Sequence, residues 1–201
     1  MRRIVLACLL WAAAAGAVRA AGYDDFARGV TAGVHDDFDG AIAAFTAALG
    51  DGDLSPALVP QAYRGRAEAY LARNRCADAL ADLDAALKLK PGAADLLAPH
   101  GIAAECLDKL DVALADYDAA VAARFSIGVT RRRGHLRWRL GDFAGAAEDF
   151  AAYVALAKQD AYGVLWLEVS RARAGTLDPK QASDDARHVD DGGWPAALLA
   201  V

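Results

Sequence analysis

Stretches rich in β-branched residues are few and short in this chain, and prolines number only six in 201 residues. The first scarcity argues against sheet strands, and the second leaves long segments free to coil into helices. Cysteine is scarce too, three in all, and none stands in a C-x-x-C pair. None of the four histidines, His35, His100, His135 and His188, belongs to an H-E-x-x-H pattern, so the familiar zinc spacings are missing. The acidic cluster Asp184, Asp185, Asp190 and Asp191 around His188 lacks the glycine and glutamate spacing of an EF-hand loop, and reads as polar surface. His35-Asp36-Asp37 reads as a solvated turn. A Gly-rich phosphate loop and a G-x-S-x-G nucleophile elbow are also missing. No cofactor, metal site or catalytic set is implied, and the expectation is a protein that binds rather than catalyses.

Alanine is what the chain has in abundance. Much of its 56% apolar content is alanine, the strongest helix former. With enough length for one domain and its core, the composition predicts an all-α protein packed through small side chains.

The N-terminus reads as an address. Arg2 and Arg3 precede an apolar run from Ile4 to Val18, which closes on Ala17-Val18-Arg19-Ala20. Val18 and Ala20 suit the small −3 and −1 places of a signal peptidase site, so cleavage is expected after Ala20. The run falls short of the roughly 20 apolar residues of a membrane-spanning helix. Val5-Leu6-Ala7-Cys8 imitates a lipoprotein box, but too little apolar sequence precedes Cys8. The mature chain is therefore expected in the periplasm or secreted, touching a membrane only through its transient leader. Losing Arg2, Arg3 and Arg19 takes the 22 basic residues to 19 against 27 acidic, a balance of −8. That sign disfavours general nucleic-acid binding.

A fixed interval organises the rest. A small, large, small pattern recurs as Ala41, Phe45, Ala48; Ala79, Leu83, Ala86; Ala113, Tyr117, Ala120; and Ala146, Phe150, Tyr153. The leading alanines are 38, 34 and 33 residues apart. With each of them numbered twentieth in its repeat, Gly29, Ala67, Gly101 and Gly134 fall eighth, where two crossing helices need a small residue. Tyr63 and Tyr70 take the large fourth and eleventh places of repeat two, and Phe38, Leu110 and Phe143 the seventeenth. Pro91 ends a helix, and Gly141-Asp142-Phe143 turns between two.

This pattern resembles the tetratricopeptide repeat (TPR), over residues 22 to about 157. The resemblance implies a TPR-type α-solenoid of four helix hairpins. A helix from Ala161 to Ala174, ended by Gly175, would cap it, so the solenoid with its cap occupies residues 22–175. Asp25, Ala32 and Arg137 stand where large residues are usual, as end repeats allow. Residues 176–201 form a polar segment, with a helix expected over Lys180 to His188, and then a tail. There Trp194, Leu198 and Leu199 are expected to dock, since an apolar terminus would otherwise be exposed. The stretch from Tyr162 through Leu165-Trp166-Leu167 and Arg171 to Gly175, with the later Trp194-Pro195, is similar to NlpI-like TPR proteins of the bacterial envelope. That similarity implies an adaptor for cell-wall hydrolases or proteases.

The resemblance also selects surface residues. First helices line the concave face of such a solenoid. The inward places give Gln61, Arg64, Glu68 and Leu71; Asp95, Ala98, Ile102 and Glu105; and Arg131, His135, Trp138 and Arg139. With Arg132, the last group spans an arc of roughly 120°, while Leu136 and Leu140 are expected to point into the packing. Arginines around an aromatic ring suit the carboxylates of a peptide or protein partner, an envelope enzyme among the candidates. The alternative is a solvated helix face with Trp138 half-buried against a neighbouring helix. The paired asparagines of the chaperone carboxylate clamp are absent, since Asn74 is the sole asparagine. TPR stacking sets Cys76, opening one helix, beside Cys106, near the end of another. An oxidising compartment would join them, and otherwise they serve as two small apolar fillers. A competing function is an assembly component, or a homo-oligomer, that uses its convex face or its ends.

Overall fold

The computed structural model describes residues 21–50, 52–123, 126–157 and 160–186. The expected leader, residues 1–20, and the expected docking residues Trp194, Leu198 and Leu199 lie outside the described residues. Among the described residues all regular structure is helical. Residues 21–34 form α1. There follow α2 (Phe38–Gly50), α3 (Val59–Ala72), α4 (Cys76–Leu89) and α5 (Ala94–Cys106). Then come α6 (Leu110–Ala122), α7 (Ile127–Arg139), α8 (Phe143–Leu156), α9 (Ala161–Ala174) and α10 (Pro179–Ala186).

The turns follow from residue type. Asp36, Asn74, Asp108 and Gly141 all stand fifteenth in their repeats, and all are left-handed, with φ of 58°, 57°, 58° and 83°. Asp, Asn and Gly tolerate that region best. The next residue then donates its N–H to the carbonyl five residues back. Asp37 reaches Ala32, Arg75 reaches Tyr70, Lys109 reaches Ala104 and Asp142 reaches Arg137, all at 2.8–2.9 Å. This closure satisfies carbonyls that a helix end leaves open. Asp37 and Asp142 also cap the following helices, accepting from the N–H of Gly40 at 3.0 Å and Gly145 at 2.9 Å. A Cβ at either glycine would lie 2.1–2.2 Å from the capping carboxylate, so the cap and the glycine belong together.

Packing obeys the predicted register. Of the twelve residues in the small, large, small pattern, all but Tyr153 are buried. The eighth place is small for a steric reason. A Cβ on Gly29 would sit 2.8 Å from the ring of Phe45, and one on Gly134 would sit 3.1 Å from Phe150. Asp25, at a place usually large, is buried and pairs with Arg28.

The chain divides into two compact units, the first up to Lys109 and the second from Leu110. In the first, α2, α3, α4 and α5 pack in succession, α3 also touches α5, and Phe26 of α1 meets Phe45 of α2 edge-on at 5.7 Å. Cys76 and Cys106 form a disulfide with Cα atoms 6.1 Å apart, within the usual span. In the second unit α6, α7, α8 and α9 pack in succession, with α10 against α9. Buried Glu168 accepts from Arg171 at 2.7 Å, and Arg171 also holds Asp185 of α10 at 3.0 Å. Burial pushes the Glu168 carboxyl above its ordinary pKa in spite of that arginine.

Candidate interaction surface

Charged residues of the first helices divide into those that hold hairpins together and those left facing solvent. The seventh place of repeats two, three and four is Arg66, His100 and Arg133. Arg66 donates to Asp82 through Nε at 2.7 Å and Nη2 at 2.8 Å, and to Thr46 at 2.9 Å. Arg133 donates to Asp149 through Nε at 3.0 Å and to Asp118 at 2.8 Å. His100 Nε2 lies 3.2 Å from Asp84. Asp82 and Asp149 share the twenty-third place, while Thr46, Asp84 and Asp118 share the twenty-fifth of the preceding repeat. A seventh-place side chain thus ties its hairpin to the one before. Burial opposes the charge of Arg133, but Asp149 and Asp118 together raise its pKa. At Arg66 the bond to Asp82 does the same. Arg137 joins the same carboxylates, reaching Asp149 and Asp118 at 3.2 Å each. Sequence reasoning passed over Arg133 and Arg137; the available signal was a carboxylate 16 residues after a seventh-place arginine, twice repeated.

The remaining α7 residues divide again. Arg131, Arg132 and Arg139 are exposed. Arg131 lies over the Tyr153 ring, 5.4 Å from its centre, and Arg132 meets no carboxylate among the described residues. The Tyr153 hydroxyl donates to Asp160 at 2.6 Å. Burial works against the Asp160 charge, yet the bonds from Tyr153, Gly163 N–H and Tyr162 N–H, with Arg131 nearby, hold its pKa below the ordinary value.

His135 and Trp138 face inward instead. His135 packs between Phe150 at 4.9 Å and Trp166 at 4.7 Å, and Trp138 between Phe143 at 5.7 Å and Trp166 at 5.3 Å. Each is partly buried, and Trp138 Nε1 is shut from solvent with no acceptor among the described residues. Leu136 is fully buried as expected, but Leu140 is 43% exposed. That expectation is corrected: Leu140 stands past the last turn of α7, where the chain leaves the packed face.

In the first unit Arg64 and Glu68 come together on α3, with Arg64 pairing with Glu68 at 3.2 Å and donating to Asp95 of α5 at 3.0 Å. Both border a cleft of about 440 Å³ between α1 and α3, which Glu105 does not reach. Its lining includes three glycines, Gly29, Gly33 and Gly65. Sequence reasoning did not find it.

Similar folds occur among solved structures. The crystal structure of MamA protein superposes with a TM-score of 0.70 at 16% identity, covering 84% of this chain and 89% of that one. YrrB, described as a TPR protein with an unusual peptide-binding site, gives 0.66 at 18%, covering 85% of each chain. The first TPR of Spaghetti (RPAP3), bound to the HSP90 peptide SRMEEVD, gives 0.54 at 21%, covering 60% of this chain and 95% of that one. No protein-family model matches the sequence, and no curated protein is significantly similar to it. The fold is the all-α, TPR-type solenoid that the resemblance implies.

Proposed function

We propose that this chain is an interaction adaptor of the bacterial envelope, exported by its first twenty residues, which holds protein or peptide partners on the faces of its first helices. One observation carries the reading. Helix α7 has five arginines and no acidic residue, of which Arg133 and Arg137 are consumed by the hairpin network. Arg131 and Arg132 stay at the surface of a chain whose net charge is −5. Exposed guanidinium groups beside an aromatic cluster suit carboxylates, through forked hydrogen bonds with apolar contact alongside. The preferred partner segment is therefore acidic.

Two similar folds, YrrB and the Spaghetti TPR, are described with a peptide-binding site and a bound peptide, which supports peptide capture here. The resemblance drawn from Tyr162 to Gly175 to NlpI-like proteins is the ground for proposing a cell-wall hydrolase or protease as partner. Nothing in the role assigned to these residues requires catalysis.

The test is capture from an envelope extract. The full chain is expected to retain a partner, and Arg131→Glu with Arg132→Glu to lose it at unchanged helicity, since both side chains stand in solvent. Undiminished capture by that variant would remove α7 from the binding surface. Export has its own check: the mature protein should begin at Ala21, whereas a retained leader would count against the periplasmic assignment.

A further inference from the structure

We propose that the Asp53 carboxylate receives the α-ammonium group of Ala21, created when the leader is cut away after Ala20, and that this ion pair fastens the start of α1 in the mature chain. The inference rests on the export reading and adds a structural consequence of the cut itself.

The link from α2 to α3 runs from 51 to 58, whereas the links before α5 and α7 run only from 90 to 93 and from 123 to 126. The longer link is nonetheless anchored. Leu54 is 7% exposed and belongs to the core cluster of Ala41, Phe45 and Ala48. From that anchor Asp53 reaches back to the first turn of α1. A Cβ on Gly22 would lie 2.5 Å from Asp53 Oδ1 and 3.1 Å from the Leu54 nitrogen, so the approach needs a glycine. Cα–Cβ bonds in a helix tilt toward its N-terminus, which sets the carboxylate over the beginning of α1, where Ala21 precedes Gly22.

Both carboxylate oxygens of Asp53 are shut from solvent and meet no hydrogen-bond donor among the described residues. Burying an unpaired carboxylate is costly until a cation meets it. Arg28, the one basic residue of α1, is committed to Asp25. Asp24, exposed in the same first turn, only adds negative charge. The cation that processing supplies need not enter from solvent, because the chain itself carries it to the neighbouring residue. In the uncut chain the Ala21 nitrogen is a neutral amide. Hydrolysis adds the hydroxyl of water to the Ala20 carbonyl and its hydrogen to that nitrogen. The new acid then yields its proton to the new amine, which stays charged below a pKa of about 7.7–8.0. A helix N-terminus opposes a positive charge, and the carboxylate offsets that opposition together with its own burial.

The test uses the mature protein purified from the envelope, its Asp53→Asn variant, and both after selective acetylation of the α-amino group. A carboxylate partner raises the folded-state pKa of the amine. Its stabilisation is therefore complete below the unfolded value, about 7.7–8.0, and is lost as pH rises through the folded one. The α-amino pKa, read from the pH dependence of amine labelling, is expected about one unit or more higher in the parent than in Asp53→Asn. Urea midpoints of the parent should fall relative to Asp53→Asn across that window, and acetylation should abolish the difference. Lysine and tyrosine titrations are common to all four proteins and cancel.

Equal α-amino pKa values in parent and variant, or a parent whose midpoint ignores acetylation at pH 7, would overturn the ion pair and leave export standing. A chain recovered with its leader attached would overturn the export reading, and the pair with it.

Discussion

Gly29 and Gly33 sit one turn apart on α1, yet their surroundings demand opposite things of a side chain. Gly29 faces the Phe45 ring at a distance no Cβ tolerates, whereas Gly33 faces open space. Gly29→Leu should therefore lose about 1–3 kcal/mol to overpacking, and Gly33→Leu should be neutral or gain up to about 1 kcal/mol from helix propensity. Urea midpoints of the two variants check this, and equal midpoints would refute the steric account. Asp160 supplies a residue-scale pH dependence. Its pKa is lowered in the folded chain, so the unfolded chain takes up a proton first as pH falls. The stabilisation is complete above the unfolded value, about 3.9, and is lost as pH drops through the lower folded one. Asp160→Asn should melt earlier than the parent at pH 7, and the gap should narrow on acidification towards pH 2. A constant gap across that range would contradict the linkage.

The two helices of a hairpin are joined by buried ion pairs whose removal has an asymmetric cost. Arg66 and Asp82 are 16% and 10% exposed, so Arg66→Met alone leaves a carboxylate buried and should cost about 3–5 kcal/mol. Adding Asp82→Leu should restore much of that loss, as a double-mutant cycle in denaturant will show; no recovery would mean the pair contributes more than mutual neutralisation. The disulfide closes a loop with a sequence separation of 30. Its reduction, or Cys76→Ser with Cys106→Ser, should remove about 3 kcal/mol without loss of helicity.

The elements themselves were legible because steric demands act on residue type. Small eighth places, the buried apolar triplets, and Asn74 and Gly141 in turns follow from the register, whereas TPR stacking sets Cys76 beside Cys106 without deciding whether they are joined. Arg133 and Arg137 were not legible as hairpin ties. An arginine is the same letter whether it faces solvent or a carboxylate across a hairpin, and an Asp-rich sequence offers too many partners. The resemblance places His135 and Trp138 on the concave face, with Trp138 half-buried against a neighbouring helix as the alternative; both rings are partly buried against the cluster of Phe143, Phe150 and Trp166.

Across the whole chain, each unit offers one first-helix feature of its own. The first unit has an apolar cleft bordered by the paired Arg64 and Glu68, and the second has the exposed arginines of α7. The cleft escaped sequence reading because its lining mixes glycines with apolar residues of repeats one and two that also serve the packing. The central claim is that partners meet first helices and not second ones. Site-specific photo-crosslinking in cells of the source organism tests it, with the probe placed in turn at Glu68 and Arg132 on α3 and α7, and at Ala81 and Ala152 on α4 and α8, all four exposed. Partner adducts are expected from positions 68 and 132. Adducts confined to positions 81 and 152 would contradict the account and give the function to the opposite face.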